Sequence, residues 1–204
     1  MQPFLDRGLI PDTIIRWAIR RRCARRLRQQ RRDSHRAAFL QELRTSPIAL
    51  DPDRPNDQHY EVPAEFFAQV LGPWMKYSCG SWGEGVQSLV EAEERMLALT
   101  CTRAEIEDGQ RILDLGCGWG SFSLFTAERY PAASLLAVSN SGRQGEFIRK
   151  EARRRGLSNL EVQTADVNEF RPTGRFDRVV SIEMFEHLKN YGEMLARIAD
   201  WLQP

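Results

Sequence analysis

Three side chains able to accept or carry a proton stand close together in SIEMFEHLKNY: Glu183, Glu186 and His187. A helical run there would put Glu183 and His187, at i and i+4, on one side, where they could bind a substrate nitrogen and take its proton. Histidine suits that chemistry because its reference pKa of ~6.5 lies near neutrality. A plain structural hydrogen bond is the competing role for His187. A second constellation is ILDLGCGWGSFS, Ile112 to Ser123, where an apolar run breaks into glycines at 116, 118 and 120. Glycine weakens packing, so such a run belongs where backbone turns sharply or comes close to a ligand.

These groups need elements to hold them, and the pattern supplies them. RILDL, SLLAVS, NLEVQTA and RFDRVVSI read as strands. Helical patterns lie between them at Trp119 to Tyr130 and Gly142 to Arg155, the latter stopped by Gly156, with another from about Asn190 to Leu202. Strands alternating with helices imply an α/β fold with a parallel sheet. The glycines fall at the first strand-to-helix junction, where doubly wound folds bind nucleotides. Upstream, Val86 to about Thr100 reads as a helix using Leu89, Val90, Glu93 and Leu97, and Phe66 and Phe67 read as ordinary packing. Three zones follow: a basic helical extension over 1–50, a second helical region over 51–108, and the sheet over 109–204. Four strands are fewer than the six common in such sheets. Met194, Leu195, Ile198 and Leu202 also form an apolar face that expects more sheet, so the chain reads as the N-terminal part of a longer protein or as an incompletely determined chain.

The glycine spacing is GxGxG, whereas a dinucleotide fingerprint is GxGxxG with a pyrophosphate at the helix start. Asp114, two positions before Gly116, would repel phosphate but suits an ammonium group. That pair of features favours S-adenosylmethionine, whose amino-acid tail carries a positive nitrogen and whose structure has no phosphate.

Composition limits the alternatives. The 204 residues carry a formal net charge of +1, with 42% hydrophobic and 28% charged residues, as expected of a soluble globular chain. The balance is uneven: Arg16 to Arg36 holds ten arginines and one acid, with Ile14, Ile15, Trp17, Ile19 and Leu27 interleaved as in a basic amphipathic helix. Cysteines at 23, 79, 101 and 117 show no CxxC pairing, so neither a zinc site nor a disulfide framework is expected, and the three histidines lack ligand spacing. No metal is expected. No apolar run approaches the ~20 residues of a membrane span. A cytoplasmic location follows as the expectation, with peripheral membrane contact through residues 11–36 as an addition.

ILDLGCGWGS resembles motif I of class I methyltransferases. HYEVPAEFF, LGPWMKYSCGSW, VSNSGRQ and SIEMFEHLKNY, in this order with it, look like the cyclopropane-fatty-acyl-phospholipid synthase family, on the branch that includes coclaurine-type N-methyltransferases. The resemblance runs from about Leu9 to Pro204. It implies a Rossmann-like class I methyltransferase sheet, truncated after the fourth strand and its helix and preceded by an α-helical N-terminal region. It implies that Gly116, Gly118 and Gly120 let backbone approach the methionyl part of the cofactor, with Asp114 near its amine. Ser139, Asn140 and Gln144 would stand in for the ribose-binding acid of other methyltransferases, Asp166 would accept from the adenine amine, Val167 beside it would also contact the cofactor, and Tyr77 and Ser78 would close over it. Glu183 and His187 match the acid/base pair of the coclaurine-type branch, with Glu186 a further candidate. Cys79 matches the cysteine that helps hold bicarbonate in cyclopropane-forming relatives, so bicarbonate would join the cofactors in that case. His59 and Tyr60 fall in the stretch resembling the family's lid and are candidates for substrate contact.

The expected function is N-methylation of a small-molecule amine. The alternative is transfer of a methylene to an unsaturated phospholipid acyl chain, which the arginine-rich segment would suit through anionic head groups. A non-enzymatic fragment or assembly module is the third option. No nucleic-acid partner is expected: ten arginines could bind phosphate, but base amino-methylases resemble a [D/N/S]PP[Y/F] pattern where this chain has Ser181-Ile182-Glu183-Met184.

Overall fold

Short apolar runs bounded by turns form the strands Arg111–Leu115 (β1), Ser134–Ser139 (β2), Leu160–Thr164 (β3) and Arg178–Val180 (β4). They build one parallel sheet of order β3-β2-β1-β4 in a computed structural model that describes residues 8, 10–32, 36–50 and 64–204. The helices are Asp12–Arg32 (α1), Arg36–Thr45 (α2), Ala64–Val70 (α3), Leu89–Arg103 (α4), Ser121–Arg129 (α5), Gly142–Arg155 (α6) and Tyr191–Trp201 (α7).

Local chemistry sets the helix ends. Ser88 and Glu91 form a capping box that starts α4 later than Val86, because the serine oxygen must accept the Glu91 N–H. Gly156, left-handed at φ 71°, ends α6 at the expected position. Asn190 caps α7 by accepting the Glu193 N–H at 3.0 Å. The fourth strand is shorter than RFDRVVSI: Phe176 pairs instead with Leu202, and the backbone beyond Val180 leaves the sheet.

The chain divides into two compact units at Glu42, within α2. In the first, α1 is solvated: Ile14, Trp17, Ile19 and Leu27 are all exposed, and the Arg21 guanidinium lies 5.4 Å from the Trp17 ring centroid. The second unit begins at Leu43, so residues 43–50 belong with the sheet rather than with an extension ending at residue 50. Ile48 and Ala49 are buried among Leu113, Leu115 and Phe176. The Asn190 amide donates to the carbonyls of Arg44 and Ser46, and Asn168 exchanges two hydrogen bonds of 3.0 Å with the Ala49 backbone.

The core lies on both faces of the sheet. Leu113, Leu115 and Val138 pack with Phe170, Met194 and Trp201, while Ile112 and Leu135 pack with Leu97, Phe122 and Phe125. On α7 the apolar face divides, with Met194 buried and Leu195 exposed. Burial on both sides explains why β1 and β2 read as nearly continuous apolar runs and the edge strand β3 does not.

Candidate functional site

Connections from β1 lead toward β2 and β3, and the chain returns to the other side of β1 as β4. A crevice therefore opens at the carboxyl ends of β1 and β4, the switch point of a doubly wound sheet.

Its floor is the glycine turn. Gly116 stands at φ 81°, and a Cβ there would lie 2.5 Å from the Met184 side chain. The N–H groups of Gly116 and Cys117 both donate to the Val138 carbonyl, tying the turn to β2. Gly118, at φ 55°, faces open space. Gly116 and Gly118 line the crevice. Gly120 is not among the residues lining the crevice or its neighbouring hollow; a Cβ there would lie 2.6 Å from Ile148, and its absence lets α5 approach α6 closely.

Asp114 is 2% exposed, and its Oδ2 accepts the Ser123 hydroxyl at 2.5 Å. Burial pushes its carboxyl up to about 6, and the Ser123 hydrogen bonds only partly offset that shift. Burial, and then the neighbouring Asp114, also push the Cys117 thiol up.

Along the β2 and β3 side, Asn140, Gln144, Ala165 and Val167 line the crevice. The buried Gln144 Oε1 accepts the Ser139 hydroxyl at 2.7 Å, while its Nε2 is buried with no protein partner. Ser139 thus orients Gln144 and is not itself a wall residue among those lining the crevice. Asp166 stands between two lining residues, but its Oδ1 accepts the Asn168 N–H at 2.8 Å.

The β4 side corrects the helical expectation for residues 181–187. Residues 181–184 are not helical, and Phe185–His187 forms a single 3₁₀ turn. Glu183 takes a left-handed φ of 52°. That turn still brings Glu183 and His187 to the same walls, and Glu186 joins them in an adjoining hollow shared with Asp114, Tyr77 and Ser78. Glu183, Glu186 and His187 are all exposed.

Tyr77 packs edge-on against Phe67 at 5.3 Å, and Phe67 packs on Trp119 of the glycine turn at 5.2 Å. Phe67 is buried as expected for packing, whereas Phe66 is half exposed. Cys79 is exposed and free. His59 and Tyr60 lie outside the described residues.

Two further polar residues near this wall have roles that only the fold reveals. Lys76 is 4% exposed and its Nζ bonds the Ser78 hydroxyl. Burial lowers its pKa, opposed by the charges of Cys79, Glu183 and Glu93. Glu93 is 1% exposed on α4. Its sequence signal is a glutamate among the apolar positions of an amphipathic helix.

The parallel sheet, its strand reversal and the glycine turn define a Rossmann-like α/β domain with a ligand crevice at the switch point. The model of the mycolic acid cyclopropane synthetase family matches residues 51–204, and the chain belongs to that family. (S)-coclaurine N-methyltransferase of Thalictrum flavum subsp. glaucum is 39% identical over 97% of this chain and 56% of its own length. Cyclopropane-fatty-acyl-phospholipid synthase of Escherichia coli (strain K12) is 32% identical over 72% of this chain and 37% of its own. A crystal structure of coclaurine N-methyltransferase bound to N-methylheliamine and SAH superposes with a TM-score of 0.83 at 40% identity, covering 98% of this chain and 60% of that one. A mycolic acid cyclopropane synthase complexed with SAH and CTAB gives 0.67 at 26% identity, over 76% and 54% of the two chains. The chain thus spans a little over half the length of the coclaurine relative.

Proposed function

We propose that the protein is an S-adenosylmethionine-dependent methyltransferase that methylates the nitrogen of a small-molecule amine. The observation that carries this is a crevice with its adjoining hollow, which have the glycine turn and the buried Asp114 carboxylate on one side, and Glu183, Glu186 and His187 on the other.

The residues fit such a cofactor. Asp114 is a buried acid whose hydrogen bonds come from the neutral Ser123, which leaves its charge suited to an ammonium group. Gly118 leaves open space in the same turn, whereas the Met184 side chain fills the Cβ position of Gly116, and the unpartnered Nε2 of Gln144 offers a donor to a sugar hydroxyl. Asn140 lines the same wall, and Ala165 and Val167 give an apolar surface for a base. When bound, the cofactor supplies an electrophilic methyl group on a sulfonium. The protein then has to hold a nitrogen in line, exclude water and accept one proton. His187 serves as the proton acceptor at its imidazole, and the Glu183 and Glu186 carboxylates attract a cationic amine into the crevice. The likeness to coclaurine N-methyltransferase over nearly the whole chain supports this choice of acceptor.

A second reading, cyclopropane formation on an unsaturated phospholipid, is favoured by the Escherichia coli relative and by the position of Cys79 beside Ser78. Bicarbonate near Cys79 and contact between α1 and an anionic membrane belong to that reading, and a cytoplasmic location suits both.

Mass spectrometry of products formed from amine and phospholipid pools with labelled cofactor separates the two. Each acceptor gains one CH2, but only the lipid loses a double bond. Label transfer to an amine with no change in lipid unsaturation is the expected result; a lipid product with one double bond fewer replaces the first reading with the second.

A further inference from the structure

We propose that Glu93, which does not line the crevice, is a positioning residue that sets cofactor affinity through Tyr77 and Ser78. The role rests on the cofactor reading above.

Its carboxylate is enclosed by one short loop. Oε1 accepts the N–H groups of Gly72 at 3.0 Å and Lys76 at 3.3 Å, and Oε2 accepts that of Trp74 at 3.3 Å. A buried carboxylate needs such donors, and here all three come from the loop that leads into the crevice wall. Gly72 has to be glycine because a Cβ there would collide with the Glu93 carboxylate. Within the loop Met75 is held at φ 53°, a left-handed conformation that L side chains rarely adopt. Such a conformation persists only where its surroundings over-determine it. Arg155 adds a second clamp, donating to the Pro73 carbonyl at 3.1 Å and stacking 4.5 Å from the Trp74 ring centroid.

The loop is fixed at both ends by adjacent residues of α4. Upstream, Lys76 N–H is bound by Glu93; downstream, Ser81 N–H donates to the Ala92 carbonyl at 2.9 Å. Between these anchors lie Tyr77 and Ser78, which line the hollow adjoining the crevice, beside Asp114 and His187. Lys76 sends its ammonium to the Ser78 hydroxyl, so the residue whose backbone Glu93 holds is also the one that orients Ser78. Glu93 therefore acts on the crevice without touching it, by fixing where the Tyr77–Ser78 wall begins.

The test is calorimetric binding of S-adenosylhomocysteine to the intact protein, in wild type, Glu93→Gln, Tyr77→Ala and the double variant. Glutamine keeps the shape but turns an NH2 toward at least one of the three donors. Wild type should bind, and E93Q should bind about tenfold more weakly, or ~1.4 kcal/mol. In the Tyr77→Ala background E93Q should add little, because the two act through one wall. Unchanged affinity in E93Q, or full additivity with Y77A, overturns the positioning role and leaves the cofactor reading intact. No binding by wild type overturns both. If E93Q does not fold, Gly72→Ala disturbs the same carboxylate from the loop side, and equal affinity in G72A overturns the role.

Discussion

The turns that follow β1 and β4 face each other across one crevice and are built on opposite principles. After β1 the left-handed positions are glycines, 116, 118 and 120, and the acid beside them is buried. After β4 the left-handed position is Glu183, and the acids are exposed. The first turn removes side chains: at Gly118 this leaves backbone open to a ligand, and at Gly116 and Gly120 it makes room for Met184 and Ile148. The second accepts a strained backbone so that charged side chains can meet a ligand. A wall made by backbone binds; a wall made by exposed acids and an imidazole can move protons.

The largest expected effect breaks the β4 side. If His187 accepts the amine proton, His187→Ala should lower turnover by about 10²–10⁴-fold while cofactor affinity changes little. Steady-state rates together with calorimetric binding of S-adenosylhomocysteine read both. Equal turnover would remove His187 from the chemistry, and a parallel loss of binding would move it to the other wall.

The next effect probes the β1 side through pH. The Asp114 carboxyl is raised from 3.8 to about 6 by burial, so its charge is a cost to the folded state. Above pH ~6 the carboxyl is ionised in both folded and unfolded chains, and burying it costs about 3 kcal/mol; below pH ~4 the cost vanishes. This group therefore favours the unliganded fold as pH falls through that window. Asp114→Asn should raise stability near pH 8, by up to about 3 kcal/mol in denaturant titrations. Ligand binding should run the other way, because an ammonium favours the ionised acid and affinity should fall as pH drops through about 6. Calorimetry near pH 5 and pH 8 should show that slope in wild type and not in D114N. A slope unchanged by the substitution would separate Asp114 from the ammonium.

The two walls are unequally legible in the sequence for the same reason that they differ in construction. Glycine spacing is a local code for backbone, so Gly116, Gly118 and the strands that flank them can be placed from Ile112 to Ser139 by pattern alone. Gly120 carries the same letter but answers to Ile148, a partner from another helix that no local pattern specifies. Glu183 adopts a conformation that its residue type disfavours, so its letters suggest an i, i+4 helix where the chain makes a left-handed turn. The wall from Gly72 to Ser78 is fixed by Glu93, about twenty residues away, and by Arg155 from α6. Such contacts follow from tertiary packing and leave only a faint trace, one acid on an apolar helix face. Residues 43–50 read as extension because their short apolar pair, Ile48-Ala49, lacks periodicity; their place is set by Asn168 and Asn190.

The smallest effect sharpens the comparison at its origin, the backbone of Glu183. A non-glycine residue at φ 52° bears about 1–2 kcal/mol of steric cost. Glycine relieves that cost but gives back roughly 0.5–1 kcal/mol through the greater freedom of the unfolded chain. Glu183→Gln removes the charge and keeps the strain, whereas Glu183→Gly removes both. Urea denaturation of the two variants should therefore find E183G more stable than E183Q by about 0.5–1 kcal/mol, with both reduced in turnover. The difference excludes the charge, since the carboxylate is missing from both proteins, and sets backbone strain against side-chain packing. E183G proving the less stable would mean that the side chain at 183 contributes packing that outweighs its strain. The β4 turn would then be held by its side chains as firmly as the β1 turn is by its glycines.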